Sequence, residues 1–110
     1  MTPTEAECTT TIIEAAQLLH YRVAHFRPAR TMHGWRTALQ GDAGWPDLAI
    51  VGHGRIFVVE LKRRGGKVTD DQRAWVDALD AAGVWAGVVY VPEGQQAFID
   101  LLAGFAQRTA

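Results

Sequence analysis

The sequence predicts an α/β fold, a mixed sheet flanked by helices, in the order helix, strand, strand, strand, helix, strand, helix. Three observations carry this reading. Asp47–Val51 and Ile56–Leu61 are nearly continuous apolar runs on either side of a turn-like Gly52-His53-Gly54-Arg55, which is the pattern of a β-hairpin. A capped helical pattern over Thr69–Ala82 follows and leads into the β-rich run Val84–Val91, making a strand–helix–strand unit. Helical patterns stand at both ends of the chain.

Taken in order, Thr4–His20 reads as the first helix. Thr4 is the N-cap, and Glu7 three residues on completes a capping box. Ile12, Ala16 and Leu19 share one face, with Ala15 beside it. Tyr21–Phe26 reads as a short strand ended by Arg27-Pro28. Ala29–Gly44 is polar, glycine-containing and basic, a long loop with some strand, and loops of this length commonly carry function. The two hairpin runs are so evenly apolar that both strands are expected to be covered on both faces. Arg63-Arg64-Gly65-Gly66-Lys67 interrupts the pattern. Thr69 caps the second helix and Gly83 stops it. Pro92 ends the last strand, and a final helix covers about Gly94–Ala106.

A chain of 110 residues suits a single domain spanning 1–110. With 48% hydrophobic and 21% charged residues it has the composition of a soluble globular protein. Its apolar runs fall far short of the roughly 20 residues needed to cross a bilayer. Met1-Thr2-Pro3-Thr4-Glu5 has no basic segment followed by an apolar one, so no signal peptide is visible. Cys8 is the only cysteine, which excludes an internal disulfide. A cytoplasmic protein is expected. Net charge is −1, but it is unevenly spread. Residues 21–67 hold nine Lys/Arg against three acids, while residues 68–110 hold two against six. A basic middle is what contact with phosphates requires, although a solvated charge block would look the same. GxSxG, P-loop and GxGxxG patterns are absent, and no organic cofactor is expected.

The informative constellation is Pro46-Asp47 with Glu60-Leu61-Lys62 thirteen residues after Asp47. Asp47 opens one hairpin strand; Glu60 and Lys62 end the other. The two ends therefore lie side by side, and Glu60 and Lys62, two apart on a strand, face the same way. Hydrolysing a phosphodiester requires charge neutralisation at phosphorus and an activated water. Two carboxylates hold a hard cation such as Mg²⁺ or Mn²⁺, which polarises the phosphoryl group and acidifies bound water. A nearby lysine orients that water or stabilises developing charge. The Leu61 backbone carbonyl is placed to add an oxygen ligand. An ExK triplet alone would equally describe an ordinary strand-end ion pair; the preceding Pro-Asp makes the set more specific.

Glu5 lies seven positions before Ile12, within about 20° of it on the helical wheel. It is either an acid aimed with the core stripe toward the site or a solvated residue of the first turn. Gln72 shares a face with Val76 and Leu79, yet Thr69-x-x-Gln72 is itself a capping box. Position 72 stays open between the two roles. His20, His25, His33 and His53 show no metal-ligand spacing and read as structural or surface residues, with His25 and His33 also candidates for touching phosphate. Trp45, Trp75 and Trp85 read as core or interface; Trp35 beside Arg36 is a candidate for stacking on a base.

The stretches Gly44-Trp45-Pro46-Asp47-Leu48-Ala49-Ile50-Val51, Val59-Glu60-Leu61-Lys62-Arg63 and Lys67-Val68-Thr69-Asp70-Asp71-Gln72-Arg73-Ala74-Trp75 resemble the VRR-NUC domain, a branch of the PD-(D/E)xK nucleases. Thr4-Glu5-Ala6-Glu7 and His25-Phe26-Arg27-Pro28-Ala29-Arg30 look like small phage versions. The resemblance runs from about residue 4 to residue 103. It implies a restriction-endonuclease-like αβββαβ core and a Mg²⁺- or Mn²⁺-dependent nuclease. Glu5, Asp47, Glu60, Lys62 and Gln72 would match the family's site residues. Glu5, Asp47, Glu60 and the Leu61 carbonyl would hold the metal, while Lys62 and Gln72 position water. Stand-alone members are similar to Holliday-junction resolvases and expected to be homodimers. The first expectation is thus an endonuclease cutting branched DNA, gripped by Arg27, Arg30, Arg36, Arg63, Arg64 and Lys67. The second is a flap or other structure-selective nuclease. The third, of another class, is a non-catalytic DNA-binding module.

Overall fold

In the computed structural model, residues 1–26, 29–32, 34–36 and 40–108 are described, with Ala29–Thr31, Trp35 and Arg36 described by their backbone alone. Thr4 accepts the Glu7 backbone N–H on its hydroxyl, and the Glu7 carboxylate accepts the Thr4 N–H, each at 3.1 Å. This capping box starts helix α1 (Glu5–Leu18). Its apolar stripe, Cys8, Ile12 and Ala16, is fully buried. The helix closes where His20 takes a left-handed conformation (φ 68°), slightly before the predicted end.

The chain then lays down β1 (Arg22–His25), β4 (Leu48–Gly52) and β5 (Arg55–Arg63) as consecutive antiparallel neighbours. Between β1 and β4, β2 (Ala29–Thr31) and β3 (Gly34–Arg36) form a separate two-stranded antiparallel sheet, the strand expected within the long basic loop. The β4–β5 hairpin turns through His53 and Gly54, at φ 53° and 74°. Two successive positive φ values are what a tight hairpin turn of the twisted kind requires. The His53 ring donates from Nε2 to the Leu19 carbonyl at 2.7 Å and packs edge-on against Tyr21. His53 is therefore structural, as expected.

Helix α2 (Asp70–Ala81) carries the chain over to β6 (Trp85–Val91), which lies parallel to β5, and α3 (Gln95–Arg108) completes the chain. The main sheet has the order β1-β4-β5-β6. Three helices and a four-stranded mixed sheet form the α/β architecture of a restriction-endonuclease-like core, as predicted. Among the described residues no helix is long and apolar enough to cross a membrane.

Side-chain alternation along β5 divides the interior. Phe57, Val59 and Leu61 join Ile12, Ala16, Leu48, Ile50, Val89, Phe98 and Leu102 in the core beneath α1 and α3. Val58 and Glu60 face the other way, toward α2, where Val76 is buried. Phe57 is the hub: Tyr21, Trp85, Phe98 and Phe105 all pack on it with ring centroids between 5.6 and 6.4 Å. Tyr21 ties this core to α3 by donating its hydroxyl to the Leu102 carbonyl at 2.7 Å.

One expectation is corrected. The centre of β5 is covered on both faces, but β4 is not: Leu48 and Ile50 are buried while Val51 is 44% exposed. Among the described elements, helix α2 packs over β5 and β6, and on that side of β4 Ala49 is only half-buried. Continuous apolar sequence measures what a strand tolerates, and the position of a helix decides what it receives.

Candidate active site

The open end of the hairpin is held by Asp47 from two directions. Its backbone carbonyl accepts the Phe26 N–H at 2.8 Å, extending the β1 ladder. Its side-chain Oδ2 accepts the Leu61 N–H at 2.8 Å, extending the β5 side. The ladder itself would have placed Pro46 opposite Leu61, by continuing the Leu48–Val59 register. Proline has no N–H to give. A strand residue projects its N–H and C=O to the same edge, so the Leu61 carbonyl lies on the Asp47 side with no ladder donor from Pro46.

One residue further back along β5, Glu60 is only 3% exposed. It faces the α2 side, where Gln72 donates from Nε2 to its Oε1 at 3.1 Å. The Lys62 ammonium stands 3.9 Å from the same oxygen, too far for a hydrogen bond. Burial pushes the Glu60 carboxyl up to about 8, and the charge of Asp47 adds to the rise. Lys62 opposes it, while the hydrogen bond with Asp47 and the more distant charge of Glu5 reinforce it. A buried acid beside a second carboxylate is costly unless it holds a proton or meets a cation.

Glu5 lies half-buried in the first turn of α1. Its charge reaches Glu60, but as the weakest of the influences on that carboxyl. Among the described residues no group of three or more His, Cys, Asp and Glu side chains is arranged to hold a metal ion. Asp47 and Glu60 with a backbone oxygen and water nevertheless suit Mg²⁺, which commonly takes one or two carboxylates and keeps several waters.

At position 72 one side chain both closes the helix cap and reaches Glu60. The Thr69 hydroxyl accepts the Gln72 backbone N–H at 3.1 Å, and the Gln72 side-chain Oε1 accepts the Thr69 N–H at 2.9 Å. The same amide meanwhile presents its NH₂ to Glu60.

Around this centre, the segment before Asp47 is pressed onto α2. Gly44 has φ +100°, and a Cβ there would lie 2.6 Å from the Asp71 carbonyl carbon, so only glycine fits. Trp45 packs edge-on between Phe26 and Trp75, with ring centroids at 5.9 and 5.0 Å. Trp75 donates its indole N–H to the Asp42 carbonyl at 3.1 Å. These tryptophans are half-buried and lie outside the buried core, and they fasten the segment before Asp47 to α2. Sequence reading overlooked Gly44 as a fastener and Tyr90 as a neighbour: Tyr90 stands beside Lys62 in the parallel register and is 43% exposed. Glycine before Trp-Pro-Asp was an available signal for the first; the second becomes visible only once β6 is paired.

Arg63, Arg64 and Lys67 are exposed on the connection from β5 to α2, directly after Lys62. Arg30 and Arg36 lie on β2 and β3, with their side chains outside the described residues. Arg27 and His33 lie outside them altogether.

No curated protein matches the chain. The family model described as the VRR-NUC domain matches residues 14–93, most of the chain. That span contains Asp47, Glu60, Lys62 and Gln72 but not Glu5. The fold, the hairpin-end constellation and the extent of this match agree, and the chain belongs to the VRR-NUC family of nuclease domains.

Proposed function

We propose that this protein is a Mg²⁺- or Mn²⁺-dependent endonuclease that acts, as one domain, on branched DNA of the four-way-junction type. The observation that carries the reading is the pairing of Asp47 with a buried Glu60 whose carboxyl is pushed up to about 8, with Lys62 and Gln72 turned toward it. Asp47, Glu60 and the Leu61 carbonyl would hold the cation, with Glu5 as an outer acid. When bound, such a cation polarises the scissile phosphoryl group and acidifies water. The chain's own residues do the rest. Lys62 carries a positive charge to the side where charge develops. Gln72 fixes the orientation of the Glu60 carboxylate and, with Lys62, places the attacking water. Arg63, Arg64 and Lys67 grip the phosphate backbone, as do Arg27, Arg30 and Arg36 in the basic segment before Asp47. A two-fold homodimer would present two such sites with the symmetry of a four-way junction.

The test is cleavage of a labelled four-way junction beside flap, nicked-duplex and single-stranded controls, with Mg²⁺ or Mn²⁺ and with EDTA, for wild type and Lys62→Ala. Symmetric, metal-dependent cuts lost in the variant are expected. Cutting of flaps but not junctions would keep the site and replace the substrate. Junction binding without any cutting would replace the nuclease reading by a DNA-binding module.

A further inference from the structure

The Gln72 side chain has one acceptor and one donor group, and the two face different partners. Its Oε1 is occupied by the Thr69 backbone N–H at 2.9 Å, and its Nε2 reaches Glu60 Oε1 at 3.1 Å. An amide can be turned over by half a rotation with little change in shape, which exchanges oxygen for nitrogen. Here such a flip would set an NH₂ against the Thr69 N–H, a repulsive contact, and would take the donor away from the buried Glu60. The backbone donor of the helix cap therefore determines which end of the amide faces the site. Thr69 is itself held in place, because its hydroxyl accepts the Gln72 N–H at 3.1 Å and closes the box from the other side.

We infer that Thr69 is a positioning residue of the active site, whose main-chain N–H fixes the polarity of the Gln72 amide so that a donor, never an acceptor, is presented to Glu60. The inference rests on the site proposed above but concerns a residue outside it. It makes the start of α2 part of the catalytic apparatus. The helix cap and the site share one side chain, so loosening the first turn of α2 removes the donor without altering any residue that faces DNA.

Two substitutions at Thr69 and one at Gln72 separate the contributions. Gln72→Glu keeps an oxygen for the Thr69 N–H and retains the capping box, since glutamate serves at this position; it replaces the donor facing Glu60 by an acceptor. Thr69→Ala deletes the hydroxyl and keeps the N–H. Thr69→Pro deletes both, at a residue whose φ of −72° proline already adopts. Two readouts apply: the side-chain NH₂ resonances of Gln72 in the metal-free Thr69 variants, and the kcat and KM of junction cleavage in all three. The NMR signals report the positioning even if the protein cuts nothing, so failure of this inference is distinguishable from failure of the nuclease reading.

The wild-type Gln72 NH₂ pair is expected to resonate away from the position of free glutamine, and Thr69→Ala is expected to keep it there. Thr69→Pro is expected to return it to the free position. If cleavage is observed, Thr69→Pro should lower kcat about tenfold below Thr69→Ala with KM little changed, the scale of one hydrogen bond to a charged group. Gln72→Glu should lower kcat at least as far. The inference is overturned if Thr69→Pro, folded, shows the same Gln72 resonances as Thr69→Ala, or if Gln72→Glu cuts as well as wild type. Should Thr69→Pro fail to fold, Thr69→Ala decides, because return of its Gln72 NH₂ pair to the free position would show that the Thr69 N–H alone does not fix the amide.

Discussion

The two ends of the β4–β5 hairpin are built by opposite rules. At the closed end the turn places His53 on the Leu19 carbonyl, and Tyr21 packs edge-on against both His53 and Phe57. At the open end a glutamate is buried beside an aspartate, and its proton is held far above the ordinary carboxylate range. The first arrangement is what stability selects. The second costs stability in the absence of a ligand, and mismatched polar groups of this kind mark functional sites. The same two strands carry both.

Mutation can break the contrast between the two ends. Phe57→Ala strikes the closed end and is expected to cost about 3–5 kcal/mol of unfolding free energy, the range for removing a fully buried aromatic ring; denaturant melts measure it. Cleavage by the fraction that remains folded should be unaffected, and a proportionate loss of kcat would show that the two ends are not separable. Asp47→Ala strikes the open end. It is expected to lower cleavage by about a hundredfold or more while removing two side-chain hydrogen bonds from the fold, with the Leu61 N–H and with Glu60, each about 1 kcal/mol. Cleavage near the wild-type rate in that variant would remove Asp47 from the site.

The smallest expected effect is on pH dependence. A carboxyl raised from 4.5 to about 8 holds its proton in the folded chain across that window, whereas the unfolded chain has released it. The folded state then binds more protons, so stability in EDTA should fall as pH rises from about 4.5 to about 8. Glu60→Gln should flatten that part of the profile and raise the thermal midpoint at pH 8. An unchanged slope in thermal melts of the variant would mean that Glu60 does not carry the imbalance.

Much of this was legible in the residues alone. Both capping boxes, the hairpin, the strand–helix–strand crossover and the convergence of Asp47, Glu60 and Lys62 follow from spacing, because strand alternation and helix periodicity are local properties. What was not legible depended on how elements settle against one another. The one-sided cover of β4 follows from where α2 lies, and nothing in Leu48–Gly52 encodes that. The double use of Gln72 needed the distance from α2 to β5, since a glutamine three residues after a threonine looks the same whether or not a carboxylate waits beyond it. The α1 capping box makes the point: Glu7 closes an equivalent box at an exposed position, and a glutamate has no spare donor to lend.

The proline before Asp47 has a consequence for how this protein can vary. By withholding an N–H it leaves a main-chain oxygen outside the ladder, and that oxygen belongs to no side chain. Leu61→Ala would thin the core yet keep the atom in place; so would any other replacement at 61. Alanine scanning at Leu61 therefore reads out packing and leaves that oxygen untouched. The position to watch is Pro46 instead, which precedes β4, is fully buried and has no N–H to offer that oxygen.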